Sequence, residues 1–462
     1  MNFLKSTAVC CAVCCSLLGA AVAMPQQDSV SIPFTGNVVL AEGASDWTTA
    51  SAVTMVPGTD KVNYDRGEGV LLHTPGKSQT PAALDVQVPG DIEVELEFMA
   101  SAGSNPVLNF LGKYPISLAG TAAGTVVLDP REENPIMRVS KPTVNVAKAP
   151  GLWQRLKVRY RAGGENGAGK PSFEAVYLND VLIHQQLFLT SDAAATGSNP
   201  LLSFSCPTGA VAFRNVHYRT LEPVKEPVPP ADPRAARRFY RVTNPIILNA
   251  DDEPYLLRSF LMYGGTKKTH SISVGNPDHS NYSYDMKEGA LLQVWRGEFM
   301  DVTDMWEQRG EPQTATPLGA VVTLTGKPSL AVLATDADRW PDTIAFDDMH
   351  NKGYTLDAAG VPTFEYEFAG MQVSDRIATQ SGGASLWRTL TVSNPVDGAY
   401  VLVAEGKTIK MLTKDVYAVG DQSYYIQIDR KSGAKVRKTA DGEELIVPVG
   451  KGDGQVSYSI IW

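Results

Sequence analysis

Side chains able to do chemistry are concentrated between positions 278 and 309. Carboxylates, an imidazole and guanidinium groups alternate there with tryptophans: Asp278, His279, Trp295, Arg296, Asp301 and Arg309. Carboxylates and imidazoles move protons, guanidinium groups hold anions, and indoles offer flat apolar surfaces. One interpretation is a carbohydrate cleft. In it, the candidate catalytic residues are Asp278, His279, Arg296 and Asp301, and the sugar is bound by Trp295 and Arg309. The other is structural, with turn hydrogen bonds, ion pairs and core packing.

A second group, Asp347, Asp348 and His350, has the spacing of metal ligands. One histidine is too few for a zinc site without ligands from elsewhere in the chain, and the sequence has no Asp-x-Asp-x-Asp-Gly loop for calcium. It also lacks a Gly-x-Ser-x-Gly elbow, a Walker loop and a Rossmann glycine motif. We therefore expect no cofactor and no metal, and these three residues are the candidates if a metal does bind.

The chain begins with one lysine, an apolar run and the triplet Ala21-Val22-Ala23, which is the pattern of a secretory signal peptide over residues 1–23. Four of the five cysteines lie in that signal, so Cys206 alone remains and no internal disulfide can form. No later segment is apolar and long enough to span a bilayer. The sequence predicts export, to a periplasm or to the outside of the cell.

A formal charge of −9 opposes binding to nucleic acid, which needs clustered basic side chains. The periodic stretches alternate with a period of two: in DIEVELEF acidic residues share one face, and in RLKVRYRA basic residues do. Opposite charges favour a neighbouring position of the two strands in a sheet. Asn179-Asp180 between apolar runs predicts a hairpin turn. These signals indicate an all-β fold with a jelly-roll sandwich.

The stretch EPVKEPVPPADPRAARR, residues 222–238, is rich in proline and poor in apolar side chains. Such a composition is typical of an extended linker. It separates a predicted first domain, residues 24–221, from a larger β-rich domain, residues 239–462, in which only the stretch GEFMDVTDMWEQRG has helical character.

Five pieces of the first domain occur in an order that resembles the 3-keto-disaccharide hydrolase domain family, a concanavalin-like sandwich related to family 16 glycoside hydrolases. They are GVLLHTPGKSQTPAALDVQVPGDIEVELEF, SNPVLNFLGKYPISL, PGLWQRLKVRYRA, VYLNDVLIHQQL and LLSFSCPTGAVAFRNVHYRTL. The resemblance implies that the domain acts on glycosides or 3-keto-glycosides and has carbohydrate as its partner.

The chain departs from this family where its polar site is expected. Members carry a carboxylate and an amide where this chain has Pro115 and Ser117, and a Gln-Asp-His series where it has Ser205, Cys206 and Pro207. Proline cannot exchange a proton, so the resemblance implies a degraded site, with Cys206 as a small buried residue. Lys113, Tyr114, Trp153 and Arg214 remain as candidates for sugar binding by stacking and charge-assisted hydrogen bonds. The alternative is a structural role, in which Trp153 is a buried core residue and Arg214 forms an ion pair.

Residues 270–310 and the later GVPTFEYEF resemble an uncharacterised module of exported bacterial proteins, often found beside c-type haem domains. No Cys-x-x-Cys-His occurs in this chain, so it holds no covalent haem. Three functions stay open: a sugar-binding protein with a catalytically reduced first domain, an active hydrolase or lyase on glycosides or 3-keto-glycosides, and a non-enzymatic module that binds exported partners.

Overall fold

The computed structural model describes residues 29–34, 38–40, 46–76, 80–84, 86, 90–128, 139–163, 170–189, 201–222, 244–307, 313–380, 382–383, 385–450 and 454–462. The predicted signal peptide and all but the first residue of the predicted linker lie outside these ranges. Within the described part of the chain, no helix is long and apolar enough to cross a membrane.

Strands dominate both halves of the sequence, which confirms the predicted all-β class. The first fifteen are β1 (Val30–Ile32), β2 (Val38–Leu40), β3 (Trp47–Met55), β4 (Val62–His73), β5 (Ala82–Leu84), β6 (Ile92–Ala100), β7 (Val107–Phe110), β8 (Tyr114–Ser117), β9 (Val126–Val127), β10 (Val139–Ser140), β11 (Gln154–Arg161), β12 (Ser172–Leu178), β13 (Val181–Phe188), β14 (Leu202–Ser205) and β15 (Val211–Thr220).

The later strands are β16 (Ile247–Leu248), β17 (Tyr255–Tyr263), β18 (Thr266–Gly275), β19 (Ser280–Asp285), β20 (Ala290–Asp301), β21 (Thr316–Thr323), β22 (Leu330–Val332), β23 (Met349–Leu356), β24 (Pro362–Phe368), β25 (Met371–Gln380), β26 (Ser385–Ser393), β27 (Ala399–Gly406), β28 (Ile409–Met411), β29 (Val416–Val419), β30 (Tyr424–Ile428), β31 (Lys435–Lys438), β32 (Glu443–Pro448) and β33 (Gly454–Ile461). Short helices cover Gly120–Ala122, Thr303–Trp306, Phe346–Asp348 and Arg430–Ser432.

Two antiparallel sheets form a sandwich in the first half. Sheet I has the order β13-β12-β11-β6-β15-β4-β3, with β1 on β15, and sheet II has the order β10-β9-β8-β7-β14-β5-β2. Alternate residues of both sheets point into a shared core that contains Phe98, Phe110, Phe173, Phe204 and Phe213. Full burial of each such side chain contributes roughly 1.5–3 kcal/mol, so this core is the main source of stability in the absence of disulfides.

The predicted neighbours β6 and β11 do pair, and their charged faces meet. Glu93 lies opposite Arg159 and Glu95 opposite Lys157 in the register of the two strands. The Arg159 Nε donates to Glu93 at 2.6 Å. The predicted turn at Asn179-Asp180 also joins β12 to β13, and both turn residues have positive φ, 51° and 67°. Asparagine and aspartate tolerate that conformation better than most residues.

Three sheets form the second half. Sheet III has the order β16-β20-β19-β18-β17 with β21 on β20, and an isolated parallel bridge joins Leu261 of β17 to Ala315, just before β21. All six residues of β19, which lies between β20 and β18, are buried. Sheet IV (β22-β27-β32-β31) and sheet V (β23-β24-β25-β26-β33-β30-β29-β28) complete this half, and one core cluster draws on residues from all three sheets.

Contacts join the two halves along the outer side of sheet I. The Met55 amide donates to the Gln422 Oε1 at 3.1 Å, and the Tyr425 hydroxyl donates to the Met55 carbonyl at 3.3 Å. Gly151 lies beneath this tyrosine: a Cβ there would be 2.5 Å from the Tyr425 hydroxyl oxygen. The Thr54 hydroxyl accepts a hydrogen bond from Lys410 at 3.3 Å. Side chains that flank or belong to β30 therefore hydrogen-bond the backbone at the end of β3.

Candidate functional site

Three of the five residues that were predicted to mark a degraded polar site, Pro115, Ser117 and Ser205, lie on one face of sheet II. In the register of β8, β7 and β14, Pro115 lies opposite Asn109 and Asn109 opposite Ser203, while Ser117 and Ser205 both lie opposite Val107. Every one of these side chains is half-buried, whereas the alternate residues of the same strands point into the core. We call Asn109, Pro115, Ser117, Ser203 and Ser205 the serine face. None of its members is ionisable near neutral pH, so it can hydrogen-bond a ligand but offers no acid or base.

Cys206 follows β14 and is buried, as predicted. Its Sγ donates to the Thr208 carbonyl at 3.1 Å, and burial raises the pKa of the thiol to about 11. A thiol with so high a pKa is protonated at neutral pH and is a poor nucleophile. The next residue, Pro207, is exposed in the turn that leads to β15.

The four sugar-binding candidates of the sandwich do not share one face. Tyr114 is 1% exposed and packs edge-on against Phe173 inside the core, with 5.9 Å between ring centres. Lys113 is half-buried in the turn before it. Trp153 and Arg214 lie instead on the outer side of sheet I. Tyr114 is enclosed in the core beneath sheet II, and Trp153 and Arg214 lie on the far side of sheet I. No single sugar can therefore contact all four residues.

Arg214 is held by three partners at the junction of the two halves. Its guanidinium lies 3.9 Å over the ring of Trp153, its Nε donates to Glu97 at 2.7 Å, and its Nη1 lies 2.5 Å from Asp421. Trp153 itself is 6% exposed. Both residues therefore stabilise the junction, and neither has a free face for stacking on sugar.

Asp278 and His279 lie in the turn between β18 and β19, as predicted for a loop. His279 is exposed with a φ of 61°, and the Asp278 Oδ1 accepts from the Ser280 amide at 3.2 Å. Arg296, opposite Ser280 in β20, donates to the Gly383 carbonyl at 2.7 Å. Burial lowers the pKa of Arg296, and the nearby Asp278 charge partly offsets this. These three residues come together, but the hydrogen bonds that they form are those that brace a turn.

The other candidates of this region have structural surroundings. Trp295 is fully buried, its Nε1 donates to the Glu298 carbonyl at 3.0 Å, and its ring stacks on Phe299. It is a core residue and cannot receive a sugar, because a stacking platform needs an exposed ring face. Asp301 accepts from the Thr303 amide at 2.8 Å, at the start of the short helix Thr303–Trp306. Arg309 lies outside the described residues.

Asp347, Asp348 and His350 line a cleft of about 450 Å³ beside the turn between β24 and β25. Glu367 and Phe368 line the same cleft, and Glu367 also lies 3.5 Å from the ammonium of Lys352. All three candidates are exposed. In the part of the chain that the structure describes, no three His, Cys, Asp or Glu residues are grouped closely enough to hold a metal ion. The cleft is therefore acidic and open, without a formed ligand set.

Sequence reasoning missed a buried charge network in the second core. Arg388 and Asp375 are 3% and 0% exposed, and the Arg388 Nε donates to the Asp375 Oδ1 at 2.9 Å. The hydroxyl of Tyr284 donates to Asp375 at 3.0 Å, and Arg388 donates to the Tyr458 hydroxyl at 3.0 Å. Burial alone would lower the pKa of Arg388, but the Asp375 charge raises it well above its usual value. Arg388 therefore stays charged, and its hydrogen bonds to Asp375 brace β25 against β26.

Comparison with known proteins gave no family model that matches the chain and no match among curated proteins. Two solved structures from Parabacteroides distasonis, each described as a "putative glycosyl hydrolase", align with part of it. The first is 13% identical with a TM-score of 0.24 and covers 39% of this chain and 90% of its own. The second is 12% identical with a TM-score of 0.21 and covers 40% and 99%. Likeness at this level carries no weight for fold or function.

Proposed function

We propose that the chain is an exported carbohydrate-binding protein. Its first domain, residues 24–221, holds a glycan on the serine face without cleaving it, and the linker 222–238 joins it to a second β-rich domain, residues 239–462. The observation that carries the proposal is the serine face itself. Four of its five members, all except Pro115, have polar, uncharged, half-buried side chains, and they lie on the strands where the resembled family has its polar site.

Hydroxyl and amide side chains can both donate to and accept from sugar hydroxyls, and they cost little to desolvate compared with charged groups. Cleavage of a glycosidic bond commonly needs two carboxyl groups roughly 5 to 10 Å apart. Pro115, Ser117 and Ser205 supply none. The same face can therefore bind a sugar while lacking the acid and the base of hydrolysis.

Calorimetric titration with neutral disaccharides and their 3-keto derivatives tests this function. We expect saturable binding, no turnover, and at least a tenfold weaker affinity for Asn109→Leu, which places a branched apolar group among the serines. Ser374→Leu is the matched control, because Ser374 is a half-buried strand residue of sheet V. Absence of binding to every sugar, or equal affinity of both variants, would contradict the site, and measured turnover would contradict the loss of catalysis.

A second candidate function, hydrolysis of a glycoside, is favoured by one observation: three carboxylates and an imidazole line the 450 Å³ cleft at Asp347. The variants Asp347→Asn, Asp348→Asn and Glu367→Gln test it in an assay of sugar release. A loss of activity of a hundredfold or more in one of these variants, with unchanged thermal unfolding, would show that the active site lies in this cleft. Equal sugar release from the three variants and the unaltered protein would exclude it.

A further inference from the structure

Ser140 and His184 form a hydroxyl–imidazole pair where the edges of the two sandwich sheets meet. Ser140 belongs to β10, the edge strand of sheet II, and His184 to β13, the edge strand of sheet I. The Ser140 Oγ lies 3.2 Å from the His184 Nδ1, and the His184 Nε2 lies 2.7 Å from the Gly124 carbonyl oxygen. The imidazole therefore bridges a hydroxyl and a backbone carbonyl.

The carbonyl determines which nitrogen carries the proton. A backbone carbonyl can only accept, so the His184 Nε2 must be the donor. Burial lowers the pKa of His184, an effect that the bond to the Gly124 carbonyl partly offsets, so the ring is neutral at pH 7. In a neutral ring whose Nε2 is protonated, Nδ1 holds the lone pair. The Ser140 hydroxyl must then donate to Nδ1, and this is the arrangement of a serine with its general base.

The fold holds each member of the pair in place. Gly124 has a φ of 88°, a conformation that favours glycine, and a Cβ at this position would lie 2.2 Å from the Cδ1 of Ile183, so that side chain would have to move. Ser140 pairs with Val126 in sheet II, and shortly after it the Thr143 amide donates to the Ile183 carbonyl at 3.1 Å. His184 is 2% exposed whereas Ser140 is partly exposed. The base is thus buried, whereas Ser140 keeps part of its surface exposed to solvent.

We propose that Ser140 and His184 form a nucleophile–base pair that hydrolyses short-chain carboxylic esters, such as acetyl esters. The Ser140 Oγ attacks the ester carbonyl carbon while its proton passes to the His184 Nδ1. The carbon–alkoxide bond then breaks, and the departing alkoxide takes that proton as an alcohol. Water attacks the acyl-Ser140 ester, gives its proton to Nδ1, and releases the carboxylic acid as Ser140 regains its hydrogen.

Gly124 takes the place that a carboxylate has in a complete triad. Its carbonyl orients the ring and accepts a stronger hydrogen bond when the imidazole becomes cationic, but it carries no negative charge to stabilise that cation. The pair is therefore suited to esters, whose alkoxide leaves more readily than an amine. This activity is independent of sugar binding on the serine face, so either can fail without the other.

Covalent labelling of the folded full-length protein by a fluorophosphonate tests the proposal. Trypsin does not cut after Lys141 because Pro142 follows, so Ser140 is the only serine of the tryptic peptide 139–148. We expect the phosphonyl adduct on this peptide and at least a hundredfold slower hydrolysis of p-nitrophenyl acetate by Ser140→Ala. Thr269→Ala is the matched control, because Thr269 lies 3.0 Å from the Nδ1 of the exposed His270.

The control variant should keep both the label and the rate. Thermal unfolding of Ser140→Ala, which removes one oxygen, should stay close to that of the unaltered protein, so the rate comparison is made on folded protein. No adduct on Ser140, or hydrolysis by Ser140→Ala at the unaltered rate, would overturn the proposal and leave the pair as a structural hydrogen bond between the sheets.

Discussion

The guanidinium carbon of Arg214 lies 3.9 Å from the centre of the Trp153 ring, and the Nη1 of the same side chain pairs with Asp421 in the second half of the chain. A stacked and partly desolvated guanidinium contributes up to about 2 kcal/mol through its cation–π contact. We expect Arg214→Ala to lower the free energy of unfolding by about 2–3 kcal/mol, because it also removes the hydrogen bond to Glu97. Arg155→Ala, at an exposed pair with Glu95, should change it by less than about 1 kcal/mol. Chemical denaturation of both variants measures the difference, and equal losses would show that the stack contributes nothing.

The buried pair of Asp375 and Arg388 should be far more sensitive. Asp375→Asn leaves the Arg388 charge buried without its counterion, which costs about 3–5 kcal/mol. The matched change is Asp357→Asn, because Asp357 also pairs with an arginine, Arg376, but at the surface, and its loss should shift the unfolding midpoint far less. Urea unfolding curves of the two variants compare the sites. A similar midpoint for both would mean that the interior reorganises around the lone charge.

His73 gives the stability of the sandwich a dependence on pH. It is 4% exposed against the Trp47 ring, and burial lowers its pKa below 6.5 although the Asp46 charge opposes the shift. The unfolded chain therefore binds a proton more readily than the folded chain. Stability is full above pH 6.5 and falls as the pH drops toward the folded pKa. Unfolding midpoints between pH 7.5 and 5 should decline more steeply for the unaltered protein than for His73→Gln, and parallel curves would refute the assignment.

Cys206 should resist thiol reagents until the protein unfolds. With a pKa of about 11, only roughly a thousandth of the thiol is ionised at pH 8, and burial limits access further. We expect the colour reaction with a disulfide reagent to be at least a hundredfold slower in buffer than in denaturant. Cys206→Ser, which cannot react, gives the baseline, and rapid modification of the native thiol would contradict the packing described here.

Local patterns were enough to predict part of this fold. The alternation of apolar and charged residues, together with opposite charges on the two strands, predicted that β6 lies beside β11. The dipeptide Asn179-Asp180 predicted the turn between β12 and β13. Both signals depend on residues that are neighbours in the sequence or in the sheet. The candidate sites depend on contacts between distant segments, for which the sequence has no local signal. Trp153 and Arg214 are residue types that bind sugars, but Trp153 is buried beneath Arg214, and Arg214 is paired with Asp421 of the other half. Ser140 and His184 are 44 positions apart in different sheets, and no motif connects them.

The junction between Met55 and Gln422 joins residues 367 positions apart. At roughly 5–20 residues per second, the ribosome makes the second partner about 20–70 s after the first. Met55, Met99 and Trp153 belong to the same apolar cluster on the outer side of sheet I. A sandwich that folded early would expose this surface during the whole interval, as a hazard for aggregation. Exporting the chain before it folds would avoid that delay, because both halves would then meet their partners at the same time.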